Sequence, residues 1–69
     1  MKARLSSMHQ FLRQRAVHFS FDSQSFHFIW MESANEVQLE NAMRTEFKRR
    51  NLELLHIRIS GRCAMADLD

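Results

Sequence analysis

Four histidines, one cysteine and two clusters of basic residues are the side chains of this 69-residue chain whose types could do chemistry. His18 and His27 sit in two neighbouring runs of alternating character, on the same face, which places their imidazoles diagonally across a strand pair. Two imidazoles can begin a metal site, but zinc takes three or four protein ligands. No CxxC and no Cys/His ladder supplies the rest. The expectation is a pair of partly exposed sheet histidines, with no metal and no cofactor. Cys63 could attack a substrate only as a thiolate held in an electropositive pocket. His56 and Arg58 stand near it in sequence, yet it falls in a segment that reads as a tail. Phosphate-cradling glycines are absent, Gly61 being the single glycine, and the acids and histidines form no dyad. The expectation is therefore that the protein is not an enzyme.

The remaining chemistry is electrostatic, and charge is segmented along the chain. Residues 1–16 carry Lys2, Arg4, Arg13 and Arg15 without an acid, and residues 17–47 hold one Arg against five acids. Residues 48–62 hold five basic side chains against Glu53, and the last seven residues add two acids, leaving a net charge of +2. If the two basic clusters meet, Arg13 and Arg15 with Lys48, Arg49 and Arg50 would attract phosphates. Against this, a helix C-terminus prefers basic residues for its own sake. The chain also lacks an RNP-like motif, a glycine-turned helix-turn-helix and a GXXG loop. A small basic DNA- or RNA-binding regulatory protein is thus the alternative reading.

The elements that must position these groups follow from periodicity. Val17, Phe19 and Phe21 alternate with His18, Ser20 and Asp22, and Phe26, Phe28 and Trp30 alternate with His27, Ile29 and Met31. Two strands are predicted, joined by a turn or slightly longer loop at Asp22-Ser23-Gln24-Ser25. Pairing Phe21 with Phe26 gathers six large side chains on one face, and a one-residue slip would scatter them. Ser7 with Gln10 has capping-box spacing and predicts a short N-terminal helix using Leu5, Met8, Phe11 and Leu12. Ser33 with Glu36 repeats that spacing before a helix expected over residues 34–50. Its apolar positions are Val37, Leu39, Ala42, Met43 and Phe47, and Glu40–Arg44 and Glu46–Arg50 are i,i+4 pairs. Asn51 suits a left-handed helix end. A third strand is expected over residues 52–60, with Leu55, Ile57 and Ile59 inward, stopped by Gly61.

The fold class these elements imply is α+β, a small α-β-β-α-β domain. Its three-stranded, antiparallel-type sheet has the order 2-1-3, with the long helix on the aromatic face. One domain over residues 1–69 is expected, with 1–6 and 62–69 as candidate flexible tails. A chain this short buries only about 60% of its unfolded surface, and a single cysteine offers no disulfide to help. That favours self-association. No apolar run approaches the roughly 20 residues of a membrane span, and the basic N-terminus lacks a signal peptide's apolar stretch. No membrane association and a cytoplasmic location are expected. The second sheet face, bearing His18, His27, Ile29 and Met31, is half apolar. Either the N-terminal segment covers it, or a partner does. The favoured reading is a non-catalytic regulatory or adaptor protein of bacterial or phage type. It would act by protein–protein binding as a homodimer, through these four residues and the open edge of the second strand.

Overall fold

The computed structural model describes residues 2–22 and 24–69. In chain order they form α1 (Lys2–Arg15), β1 (Ala16–Asp22), β2 (Ser25–Trp30), α2 (Glu36–Arg49), β3 (Leu54–Ser60) and β4 (Cys63–Leu68). The fold is α+β: among the described residues, two helices lie on a four-stranded antiparallel sheet of order β1-β2-β4-β3.

The hairpin forms in the register the alternation implies, with Phe21 opposite Phe26 and Phe19 opposite Phe28. The turn expected at residues 22–25 includes Ser23, which lies outside the described residues; the ladder runs up to the pairing of Asp22 with Ser25. At its other end the register departs from the expectation. Ala16, not Val17, faces Trp30, because a bulge between Ala16 and His18 leaves Val17 unpaired. The bulge turns Ala16 into the core and Val17 out to solvent, where it is 63% exposed.

Residues 62–69 correct the tail reading. They contribute β4, which lies between β2 and β3 and pairs with both. Gly61 at φ +62 opens the β3–β4 hairpin, and a positive φ at the first turn residue alone is the type II′ pattern that matches strand twist. The predicted order 2-1-3 is replaced accordingly. β2 is an interior strand, so its edge is not open, and the edges are β1 and β3. β3 carries a second bulge, between Leu54 and His56, which pairs Leu54 with Leu68 over the core and leaves Leu55 exposed rather than inward. Bulges on both edge strands disturb the ladders that would otherwise template further pairing.

The core lies on one face of the sheet. Phe26, Phe28, Ala64, Ala66, Ile57 and Leu68 come from the strands, Met8 and Leu12 from α1, and Leu39, Met43 and Phe47 from α2. The stripe Leu39-Met43-Phe47 is buried as its spacing predicts, whereas Val37 is 67% exposed. Phe26 meets Phe47 edge-on at 5.4 Å between ring centres, and Phe19 and Phe21 flank it at 5.7 and 4.6 Å.

Local caps differ from the predicted boxes. α1 starts at Lys2, earlier than the candidate tail 1–6 allowed, and residue 1 of that tail lies outside the described residues. Ser7 therefore sits inside the helix, and its Oγ accepts a 2.9 Å hydrogen bond from Arg50 Nε. Asn35 is the N-cap of α2, its side chain accepting from the Val37 amide at 2.8 Å, and Glu36 accepts from the Gly61 amide. Asn51 closes the helix in the left-handed conformation, at φ 55.

His9 of α1 is packed against Phe19, Phe21 and Phe26 at 4.8–5.5 Å between ring centres. Its Nε2 is shut off from solvent and has no hydrogen-bond partner among the described residues. Burial, and secondarily the charge of Arg13, lower its pKa below the ordinary 6.5. The fold therefore favours the neutral ring. Its contribution to stability is complete above pH 6.5 and is lost as pH falls through the lowered value. Thermal unfolding measured from about pH 7.5 down to about pH 5 should show a decline in Tm that His9→Gln lessens. An unchanged pH profile in that variant would contradict this account.

Candidate protein-docking face

Both helices pack on the aromatic face, and this settles what happens to the other one. The N-terminal segment does not cover it: α1 buries Met8 and Leu12 in the same core as α2. The uncovered face presents three cross-strand rows, each read from β1 through β2 and β4 to β3. One is Asp22-Ser25-Asp67-His56, the next Ser20-His27-Met65-Arg58, the third His18-Ile29-Cys63-Ser60. None of these residues is buried.

The rows differ in chemistry. In the first, Ser25 Oγ donates to Asp67 Oδ1 at 2.7 Å, and His56 Nε2 lies 3.1 Å from the other carboxylate oxygen. The carboxylate stands between serine and imidazole, so the imidazole is not placed to take the hydroxyl proton, as a nucleophilic serine would require. The second and third rows surround a shallow, open depression of about 550 Å³, whose walls include His27, Ile29, Arg58, Cys63 and Met65. Its floor is apolar through Ile29 and Met65, and its rim is polar.

His18, His27 and Ile29, expected at a contact surface, line this depression together. His18 and His27 are diagonal neighbours, as the register requires, and no group of three potential metal ligands exists among the described residues. Met31 is not with them. It lies past the end of β2, 49% exposed, its amide bonded to the Arg15 carbonyl and its own carbonyl accepting from Arg62. Met65, Arg58 and Cys63 join the site instead, brought there by β4 and its partner β3. Cys63 lies across from Ser60 and Ile29, whereas His56 pairs at the far end of β4, so the nearness of Cys63 and His56 in sequence does not become a thiol–imidazole pair.

The basic residues are brought together in part. Arg15 and Arg50 both lie over the Phe11 ring, at 5.8 and 5.2 Å from its centre. Arg50 is largely committed: its Nη1 is 2.7 Å from Glu46 Oε1 and 2.8 Å from the Glu46 carbonyl. That hydrogen bond holds Glu46 below its ordinary carboxylate value, with help from the Arg49 charge and against a smaller effect of burial. Arg49 shares the same carboxylate at 3.4 Å. Lys48 turns instead toward a depression shared with Arg4 and Arg44, and Arg13 toward His9 and β1. Arg15 and Arg50 thus meet at Phe11, while Lys48 and Arg13 line separate depressions.

No helix among the described residues is long and apolar enough to cross a membrane. No protein family, no characterised protein and no solved structure matches this chain.

Proposed function

We propose that this chain is a non-catalytic regulatory or adaptor protein that works by protein binding, and that its first partner is a second copy of itself. The observation that supports the reading is the uncovered sheet face, apolar at Ile29 and Met65 and polar around them. With both helices in one core on one side, none of the described residues shelters the other. Four strands about 4.8 Å apart, each about six residues long at roughly 3.3 Å per residue, give a footprint on the order of 400 Å² per copy. Projecting side chains raise the accessible area above that footprint. A standard interface takes about 800 Å² per partner, so the dimer belongs to the small, exchangeable class. The free thiol of Cys63, exposed on this face, suits a reducing compartment such as the cytoplasm.

Sedimentation over a concentration series tests the reading. The chain is expected to pass from monomer to dimer as concentration rises. Ile29→Glu, which places a charge on an inner strand of the face without touching the core, should weaken dimerisation by at least tenfold while leaving the circular dichroism spectrum unchanged. A monomer at every concentration would contradict the reading. If retention on nucleic acid fell steeply with salt and vanished on charge reversal at Arg49 and Arg50, the nucleic-acid alternative would take its place.

A further inference from the structure

We infer that two copies stack open face on open face about a two-fold axis running along the strands, so that β1 of each copy lies over β3 of the other. The inference rests on the self-association reading and adds to it the arrangement. A symmetric contact between two copies uses the same patch twice. Aligned sheets that pack face to face cross at about 30°. The two-fold axis then lies between the sheets, either along the strands or across them, and the three rows distinguish the two cases.

With the axis along the strands, each row meets the same row in reverse. Asp22 then lies over His56 of the second copy and Ser20 over Arg58, while Ile29 meets Cys63 and His27 meets Met65. The Arg58 guanidinium gains a hydroxyl acceptor and no like charge, and the apolar side chains fall on the two inner strands. With the axis across the strands, each strand meets itself with the rows exchanged. Asp22 then lies over His18, but Arg58 lies over Arg58, His27 over His27, Asp67 over Cys63 and Ser25 over Ile29. This sets like charge on like charge and leaves a carboxylate and a hydroxyl against apolar or weakly bonding partners, in a region that loses its water. Charge complementarity therefore selects the first arrangement.

Cysteine crosslinking separates the cases. In a Cys63→Ser background, the pair Ser20→Cys/Arg58→Cys should give a covalent dimer with a minimal-span bis-thiosulfonate reagent, and neither substitution alone should. Within one copy these positions are three strand spacings apart, roughly 14 Å, so a dimer band reports contact between copies. His18→Cys/Ser60→Cys, which leaves Arg58, Asp22 and His56 in place, should link in the same way. A dimer band from either pair, without self-linking of Ser20→Cys or Arg58→Cys alone, supports the arrangement. Self-linking of either single variant would point to the axis across the strands and overturn it. Failure of both pairs in protein that sediments as a dimer would also overturn it, leaving self-association in place. A protein that sediments only as a monomer removes the reading and the inference together.

Discussion

Deleting residues 62–69 is expected to abolish folding. Strand β4 lies inside the sheet, with hydrogen-bonded neighbours on both sides, and supplies Ala64, Ala66 and Leu68 to the core. Without it β2 and β3 lose their shared partner, the sheet is reduced to the β1–β2 hairpin, and α2 loses part of the surface it packs on. A lone hairpin is marginal in water. Tolerance to truncation follows from burial and backbone pairing, not from position near a terminus. Circular dichroism and a one-dimensional proton NMR spectrum of the shortened chain should show loss of the cooperative thermal transition and of shift dispersion. A dispersed spectrum with a sharp transition would contradict the topology.

Phe26→Ala is expected to cost about 3–5 kcal/mol, the range for emptying a fully buried aromatic site. Phe26 is 0% exposed and touches rings from three elements, Phe19 and Phe21 on β1, Phe47 on α2 and His9 on α1. Natural domains hold roughly 0.05–0.15 kcal/mol per residue, so a chain of 69 residues has on the order of 3–10 kcal/mol in total. The substitution therefore removes a third or more of the stability, and all of it at the lower end of that range. Urea denaturation checks this. A loss below about 1 kcal/mol would show that the site collapses around the missing ring and that the aromatic cluster does not organise the core.

The contrast between β2 and β4 shows what a sequence makes legible. β2 was readable because Phe26, Phe28 and Trp30 alternate with smaller or polar residues, and large aromatic side chains on one parity admit a single register with β1. β4 carries the same period, with Ala64, Ala66 and Leu68 facing in and Cys63, Met65 and Asp67 facing out. Alanine is depleted in strands and buries little area, so the alternation looks weak. The alanines are small for a reason seen only in three dimensions: Phe26 and Phe28 stand directly beside them on β2. A signal was nevertheless present, since Gly61-Arg62 between two alternating runs fits a two-residue hairpin with glycine first.

The bulges explain the facing of Val17 and Leu55. Strict alternation placed Val17 and Leu55 inward, and one extra residue in each edge strand turned both outward. Nothing in a single sequence marks where a ladder takes an extra residue. The candidate face is legible to the same extent as its strands: His18, His27 and Ile29 follow from β1 and β2, Met65 and Cys63 depend on the unread β4, and Arg58, on the expected β3, reaches the face only because β4 joins β3 to β2. Helix α2 was readable for a different reason. Its stripe, its i,i+4 pairs and its left-handed end at Asn51 are all local features, independent of what the helix packs on.

The central claim is that the sheet face away from the helices is where copies of this chain meet. Methyl NMR spectra recorded on serial dilution test it most directly. The Ile29 and Met65 methyl shifts should move together along one dilution curve, while those of Val37 on α2 and of Val17 and Leu55 at the strand edges stay fixed. Shifts confined to Val17 or Leu55 would mean that the copies join edge to edge, and no concentration dependence at Ile29 and Met65 would contradict the account.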